Sequence, residues 1–264
     1  MIEYLLSFGD RAWIFALFVY TALCARYLVI SGVPYALAWR IFEKKMSHRR
    51  IQATSKAKPL RIGFEILWSC SSFLVFAIEA GIVYALYIHG HTRLVTSWSD
   101  LPVWLHVAEF VLLFVIHDAY FYWMHRLLHH RTLFRHVHYV HHQSVNPTPF
   151  AAFAFHPVEA FLETAFLIPI LLWCPLYIGT LIGFLFLSHL FNVIGHLGYE
   201  LFPQSSRKSP FFSWITTSTH HNLHHQHVLS NYGLYWKIWD QWGGTMNPKT
   251  EVEFMKVTGP ALKD

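Results

Sequence analysis

HDAYFYWMHRLLHHRTLFRHVHYVHHQSVNPTPFAAFAFH, residues 117–156, is the stretch whose reading decides the fold. Nine of the chain's 20 histidines lie in it, and five more crowd into THHNLHHQH, residues 219–227. Their spacing is ordered. His138, His141 and His142 form HxxHH, and His221, His224 and His225 form a second HxxHH. Positions i, i+3 and i+4 share one helical face, so each triplet can point several imidazoles at one place. His125 and His129 stand four apart with His130 directly after, and Asp118 and Tyr122 fall on the same stripe. His189, Asn192 and His196 again share a face.

Neutral imidazole is the commonest metal ligand near neutral pH and suits iron, zinc and copper. One zinc ion takes about four ligands, so eight or more convergent candidates fit two ions better than one. Imidazoles clustered at a membrane edge without a shared partner would be costly. His48, His89, His91 and His106 lie in or near loops and read as ordinary residues. His117, His136, His220 and His227 flank the boxes. Asp118, Asn192, Glu159 and Glu200 can orient ligating histidines or act as caps and polar contacts, and the sequence leaves both open.

Outward from this stretch the chain is apolar. Of 264 residues 54% are hydrophobic and 13% charged, against about 25% charged in a soluble domain. The net charge of +5 comes from basic residues beside apolar runs, which favours a membrane surface over nucleic acid. Residues 12–33 read as a first span. Residues 34–62 form a basic loop with Arg40, Lys44, Lys45, Arg49, Arg50, Lys56, Lys58 and Arg61, predicted to face the cytoplasm. Residues 64–88 and 103–124 are two more spans, joined by a weakly charged far-side loop. Residues 157–198 fit a hairpin turning near Cys174–Pro175, where proline breaks a helix. Residues 199–264 read as a cytoplasmic tail without a KDEL-type signal. Glu3 and Asp10 replace the basic region a cleavable signal would carry, so the first apolar run reads as a retained anchor. Cys24, Cys70 and Cys174 read as small buried hydrophobes, not as a disulfide framework.

The expected fold is therefore an all-α integral membrane protein, with about four to five transmembrane helices and a cytoplasmic-side histidine-rich helical cap. The expected domains are N-terminal helices and basic loop over residues 1–100, a catalytic region over 101–250 and a tail over 251–264.

At these residues the sequence resembles the fatty acid hydroxylase / sterol desaturase superfamily, roughly over residues 105–245. DAYFYWMHRLLHH looks like its first histidine box and HYVHH like its second. HPVE at 156–159, GHLGYELFP at 195–203 and THHNLHH followed by NYGLYWKIWDQWGGT at 219–245 also match. The resemblance implies a non-haem di-iron centre that uses O2 and two electrons to hydroxylate or desaturate a lipid C–H bond. Carried over, the ligands and catalytic residues are His125, His130, His138, His141, His142, His196, His221, His224 and His225. Ideal helix geometry favours His129 over His130 as partner of His125; the resemblance favours His130, and both stay candidates. Some members carry another histidine where this chain has Asn192, a place His189 could fill. Asp118, His156, His189 and Asn192 are candidates for supporting the ligands.

No haem, dinucleotide or iron–sulfur motif is present, so electrons are expected from a separate protein linked to NAD(P)H. The basic loop could dock it or bind anionic lipid. Phe150, Phe153, Phe155, Phe211, Phe212 and Trp214 flank the boxes and could line a lipid tunnel or form core and interface belt. Asn146-Pro147-Thr148-Pro149 reads as a rigid loop. The expected location is a bacterial inner membrane or the ER. Two alternatives are a metal-transport or metal-storage protein without redox catalysis, and a zinc hydrolase, which would want a glutamate inside a box; neither box holds one.

Overall fold

The computed structural model describes residues 11–53 and 59–259. Glu3, Asp10, Lys56, Lys58 and the last five residues lie outside the described residues. The helices are α1 (Ala12–Ala36), α2 (Pro59–Ile88), α3 (Val103–Leu128), α4 (Tyr139–His142), α5 (Pro157–Thr164), α6 (Leu167–Trp173), α7 (Ile178–Gly195), α8 (Ser218–His227), α9 (Ile238–Trp242) and α10 (Thr250–Thr258). α1, α2, α3 and α7 are long and apolar enough to cross a membrane. They are apolar on all sides, as lipid-facing helices must be, and leave Trp13, Leu28, Leu67, Leu74, Val107 and Leu112 exposed.

Two expectations change here. The first span does not stop at residue 33. α1 contains Pro34 and continues through a π-helical turn over Leu37–Ile41, so the helix persists to residue 41. A proline removes one helical hydrogen bond, and a wider turn can absorb that loss. The descending arm of the 157–198 hairpin is not one span. It divides at Ala165–Phe166 into α5 and α6, neither long enough to cross alone. The turn itself lies where Pro175 predicts: Leu176–Tyr177 (β2) pairs in parallel with Leu94–Val95 (β1). Cys174 is exposed there, and Cys24 and Cys70 are half-buried, so none of the three is the fully buried residue expected.

The core between α3, α6 and α7 holds Leu113, Phe166, Leu167, Leu171, Leu176 and Phe184. A second cluster, with Phe121, Met124, Leu128, Val137, Leu234 and Tyr235, joins α3 to the helical cap. Polar contacts fix the cap on the bundle. Trp39 Nε1 donates to Leu197 O at 2.8 Å and Tyr27 Oη to Phe150 O at 2.7 Å. Arg49 Nη1 donates to Glu200 O and Phe202 O, both at 3.1 Å, and Gln52 Nε2 to Asn222 Oδ1 at 2.9 Å. Part of the basic loop thus fastens the cap.

The loop after α4 is held by a buried carboxylate from α2. Glu65 accepts from Ser144 Oγ at 2.8 Å and from Thr148 Oγ1. Thr148 also caps the 3₁₀ turn Pro149–Phe153. This gives the Asn146–Pro149 segment its fixed shape.

Candidate metal centre

Each ligand candidate sits where an element ends or turns. α3 carries His125 in its last turn and leaves His129 just beyond it. The chain then winds through Arg131–Leu133 and a π turn, Phe134–His138, into α4. His196 follows the last residue of α7. α8 starts at Thr217, whose side chain accepts from His220 N, while Glu200 Oε2 accepts from Thr219 N at 3.0 Å and Thr219 Oγ1 at 2.7 Å. These contacts satisfy first-turn N–H groups that would otherwise be orphaned. They let a polar helix be buried from Ser218 to His225.

Nine buried imidazoles converge in two groups. One holds His125, His129, His138, His142 and His224, the other His141, His196, His221 and His225. Within each, the nitrogens lie within 4.8 Å of one another. The groups adjoin, with the His142 and His225 ring centres 4.9 Å apart. The boxes do not each serve one point, as their shared face suggested. In each HxxHH the first and last histidines enter one group and the middle one enters the other. The allocation reverses between boxes: His138 and His142 join the first group, His221 and His225 the second. A helical residue three along is displaced round the axis from one four along, so one short helix serves two centres.

The nitrogens that face each other are Nε2 atoms. His138 Nε2 lies 3.1 Å from both His125 Nε2 and His142 Nε2. In the second group His196 Nε2 lies 3.0 Å from His221, 3.2 Å from His225 and 3.3 Å from His141. His125 Nδ1 donates to Tyr232 O at 2.9 Å, His224 Nδ1 to Ser230 O at 2.7 Å and His196 Nδ1 to Asn192 O at 2.8 Å. A carbonyl only accepts, so those rings carry hydrogen on Nδ1 and a bare lone pair on Nε2. His138 Nδ1 meets Glu159 Oε1 at 2.6 Å; burial raises the Glu159 carboxyl well above the ordinary carboxylate range, and when it is ionised it fixes His138 the same way. With Glu159 ionised, lone pairs of His125 and His138 face each other. That is repulsive unless a cation lies between them. Two nitrogens bound at about 2.1 Å and roughly at right angles on one ion stand about 3 Å apart, which is the observed spacing. The residues fit a metal pair.

Burial, reinforced by neighbouring imidazoles, holds His138, His141, His142, His221, His224 and His225 well below the ordinary imidazole value. It pushes His196 down to about 4 and His129 to about 2. All are neutral at physiological pH, the form that ligates.

One expected ligand falls outside. His130 is exposed and belongs to neither group, whereas His129 belongs to the first. Helical geometry prevails: His129 is four residues from His125, and its N–H still bonds His125 O at 3.1 Å. His189 is buried but also in neither group, so it does not replace the histidine absent at Asn192. Asn192 supports His196 through its backbone carbonyl, while its side chain donates to Ala152 O at 2.6 Å. Asp118 touches no ligand; it accepts from Tyr235 N at 2.7 Å and fixes the loop after α8. His156 caps α5 by accepting from Val158 N. Sequence reasoning missed Ser230, Tyr232 and Asp240. Asp240 accepts from Tyr232 N at 2.8 Å and Gly233 N at 2.9 Å, which aims the Tyr232 carbonyl at His125. Only the acid in WDQWGG hinted at this; carbonyl partners leave no mark in a sequence.

A cavity of about 460 Å³ lies among α1, α2, α3, α6 and α7. Phe153 and Phe155 line it, as the tunnel reading expected; Phe150 packs in the core against Tyr27, and Phe211, Phe212 and Trp214 are exposed. Phe155 lies 5.0 Å from the His141 ring. A much smaller pocket shares Asn192 and Leu234 with this cavity and reaches His221. Asn192 and Leu234 are common to both spaces, so the apolar cavity approaches the four-histidine group on this side.

Residues 110–245 match the family model for fatty acid hydroxylase. The chain is 34% identical to rat lathosterol oxidase over 197 residues, covering 73% of this chain and 64% of that protein. It is 28% identical to the Delta(7)-sterol 5(6)-desaturase ERG3A of Gibberella zeae over 237 residues, 88% of this chain and 60% of that one. With chicken methylsterol monooxygenase 1 it shares 25% over 232 residues, 86% of this chain and 72% of that one. The chain thus spans less than two thirds of the first two relatives' own length. No solved structure matches it.

Proposed function

The chain belongs to the fatty acid hydroxylase / sterol desaturase superfamily, and on that premise we propose that it is a membrane lipid oxidase, acting on a C–H bond of a sterol or related lipid at a histidine-held iron pair. The observation that carries this is the convergence of buried imidazole Nε2 atoms, about 3 Å apart, in two adjoining groups. Relatives named as sterol oxidases and desaturases supply the substrate class.

His125, His129, His138, His142 and His224 would hold one ion, and His141, His196, His221 and His225 the other. The bound metal would supply O2 activation and one-electron chemistry. The chain's own residues do the rest. Glu159 and the carbonyls of Asn192, Ser230 and Tyr232 fix ring orientation and tautomer. The apolar cavity takes the lipid from the bilayer, keeps water away, and presents it on the side of Asn192 and Leu234. Desaturation would remove two hydrogens from adjacent carbons and, with O2, two electrons and two protons, yield two waters. Hydroxylation would place one oxygen atom on carbon and yield one water. The electrons come from a separate NAD(P)H-linked carrier. The basic residues at the histidine end of the bundle, Arg40, Lys44 and Lys45, support a cytoplasmic active site in a bacterial inner membrane or the ER, and offer a docking surface for that carrier.

The test is metal analysis with oxygen uptake. Purified protein should hold about two irons per chain and consume O2 only when both reductant and a sterol are added. Protein that binds iron yet shows no lipid-dependent O2 consumption would be a metal-storage or transport protein, and the oxidase reading would fail.

A further inference from the structure

The histidine that joins neither metal group is the most unusual side chain in the membrane part of the molecule. His189 is 1% exposed, and among the described residues neither ring nitrogen has a hydrogen-bond partner. It lines the apolar cavity, with Phe153 edge-on at a ring distance of 4.6 Å. Arg26 lines the same space, is close enough for its charge to act on the ring, and has an unpartnered Nε. A buried imidazole with two idle nitrogens is costly, and it becomes tolerable when a ligand completes it.

We propose that His189, with Arg26 beside it, anchors the hydroxyl group of an otherwise apolar alcohol, so that the lipid this cavity takes is a sterol or similar neutral alcohol. A neutral imidazole offers one donor and one acceptor, and an alcohol both accepts and donates. A carboxylate only accepts. His189 precedes His196 by seven positions, roughly 10 Å along the helix. The hydroxyl would thus sit within about that distance of the four-histidine group, and the attacked carbon lies near the hydroxyl-bearing end of the lipid. That this alcohol is the substrate rests on the lipid-oxidase reading; that it binds does not.

Equilibrium binding separates the two. The probes are labelled lathosterol and octadecan-1-ol, each paired with its analogue carrying hydrogen in place of the hydroxyl, on protein in lipid nanodiscs. The wild type should prefer at least one alcohol over its analogue tenfold or more. His189→Phe, with iron content unchanged, should abolish that preference, and His189→Gln should restore part of it. No preference in the wild type, or a preference that survives in His189→Phe, overturns the anchor. If His189→Phe does not fold, His189→Gln alone decides: an altered alcohol-to-analogue ratio supports the anchor, an unaltered one overturns it. Alcohol binding of the expected kind without O2 consumption would retain the anchor and remove the oxidase reading instead.

Discussion

The five-histidine and four-histidine groups draw on the same two boxes but are supported differently. In the first, His125, His138 and His224 each direct Nδ1 to an acceptor, one of them the carboxylate of Glu159. In the second, His196 Nδ1 bonds Asn192 O and His141 has a backbone hydrogen bond to Ala154; among the described residues Nδ1 of His225 has no partner, and in the first group Nδ1 of His129 and His142 has none. The first group has one imidazole more, whereas the second lies beside the cavity-lining Phe155 and Asn192. A ligand-rich, braced site holds an ion, and a site with an open position reacts. On the proposed reading, the reacting position would belong to the four-histidine group.

The hardest blow to this comparison would come from His196→Ala. His196 Nε2 is the hub of the second group, within 3.3 Å of three other Nε2 atoms. Turnover should fall by more than about 100-fold and iron from about two per chain to about one. Retention of both irons with near-normal turnover would remove the reason for calling this group the reacting one.

Acid should strip both groups. The folded imidazoles titrate below their unfolded value of 6.5, His196 at about 4 and His129 at about 2. Below pH 6.5 the unfolded chain therefore binds more protons, and stability falls as pH falls, until about pH 4 for His196 and about pH 2 for His129. At pH 5 each histidine kept neutral by the fold costs about 2 kcal/mol of stability. Thermal unfolding of metal-free protein between pH 7 and 5 checks this. A midpoint that stays flat or rises on acidification contradicts it.

Glu159→Gln tests the bracing of the first group. Glutamine keeps an acceptor near His138 but loses the charge, so iron affinity or turnover should drop about 10- to 100-fold. The corresponding loss should be absent for His156→Ala, whose side chain caps α5 and touches no ligand. Equal losses in the two variants would mean Glu159 is merely structural.

What was legible follows from the same contrast. Periodicity found the four long helices and the box histidines, because an apolar run and an i, i+4 spacing are written in side chains. It could not see that each box splits between two centres, since that depends on where α4 and α8 lie relative to each other. Nor could it see the carbonyls of Ser230 and Tyr232, which any residue type could supply. The broken arm at Ala165–Phe166 was illegible because its residues are as apolar as a span, and only tertiary packing divides it. The anchor His189 was visible as a residue but not as a role: one face of α7 carries both it and His196, and only the cavity separates them.

The smallest expected effect bears most directly on reading sequence against geometry. His130 lies in a box that resembles a ligand motif, yet it is exposed and its neighbour His129 occupies the group. Substitutions at exposed positions change stability by about 0.5 kcal/mol or less, so His130→Ala should alter iron content and turnover by a factor of about two at most. His129→Ala removes one of five imidazoles and should lower iron retention about tenfold, a loss of the size seen when metal-site support is weakened. Side-by-side iron retention against a chelator decides between them. If His130→Ala is the damaging variant, the chain past α3 must rewind when metal binds, and the five-histidine group has a different fifth member.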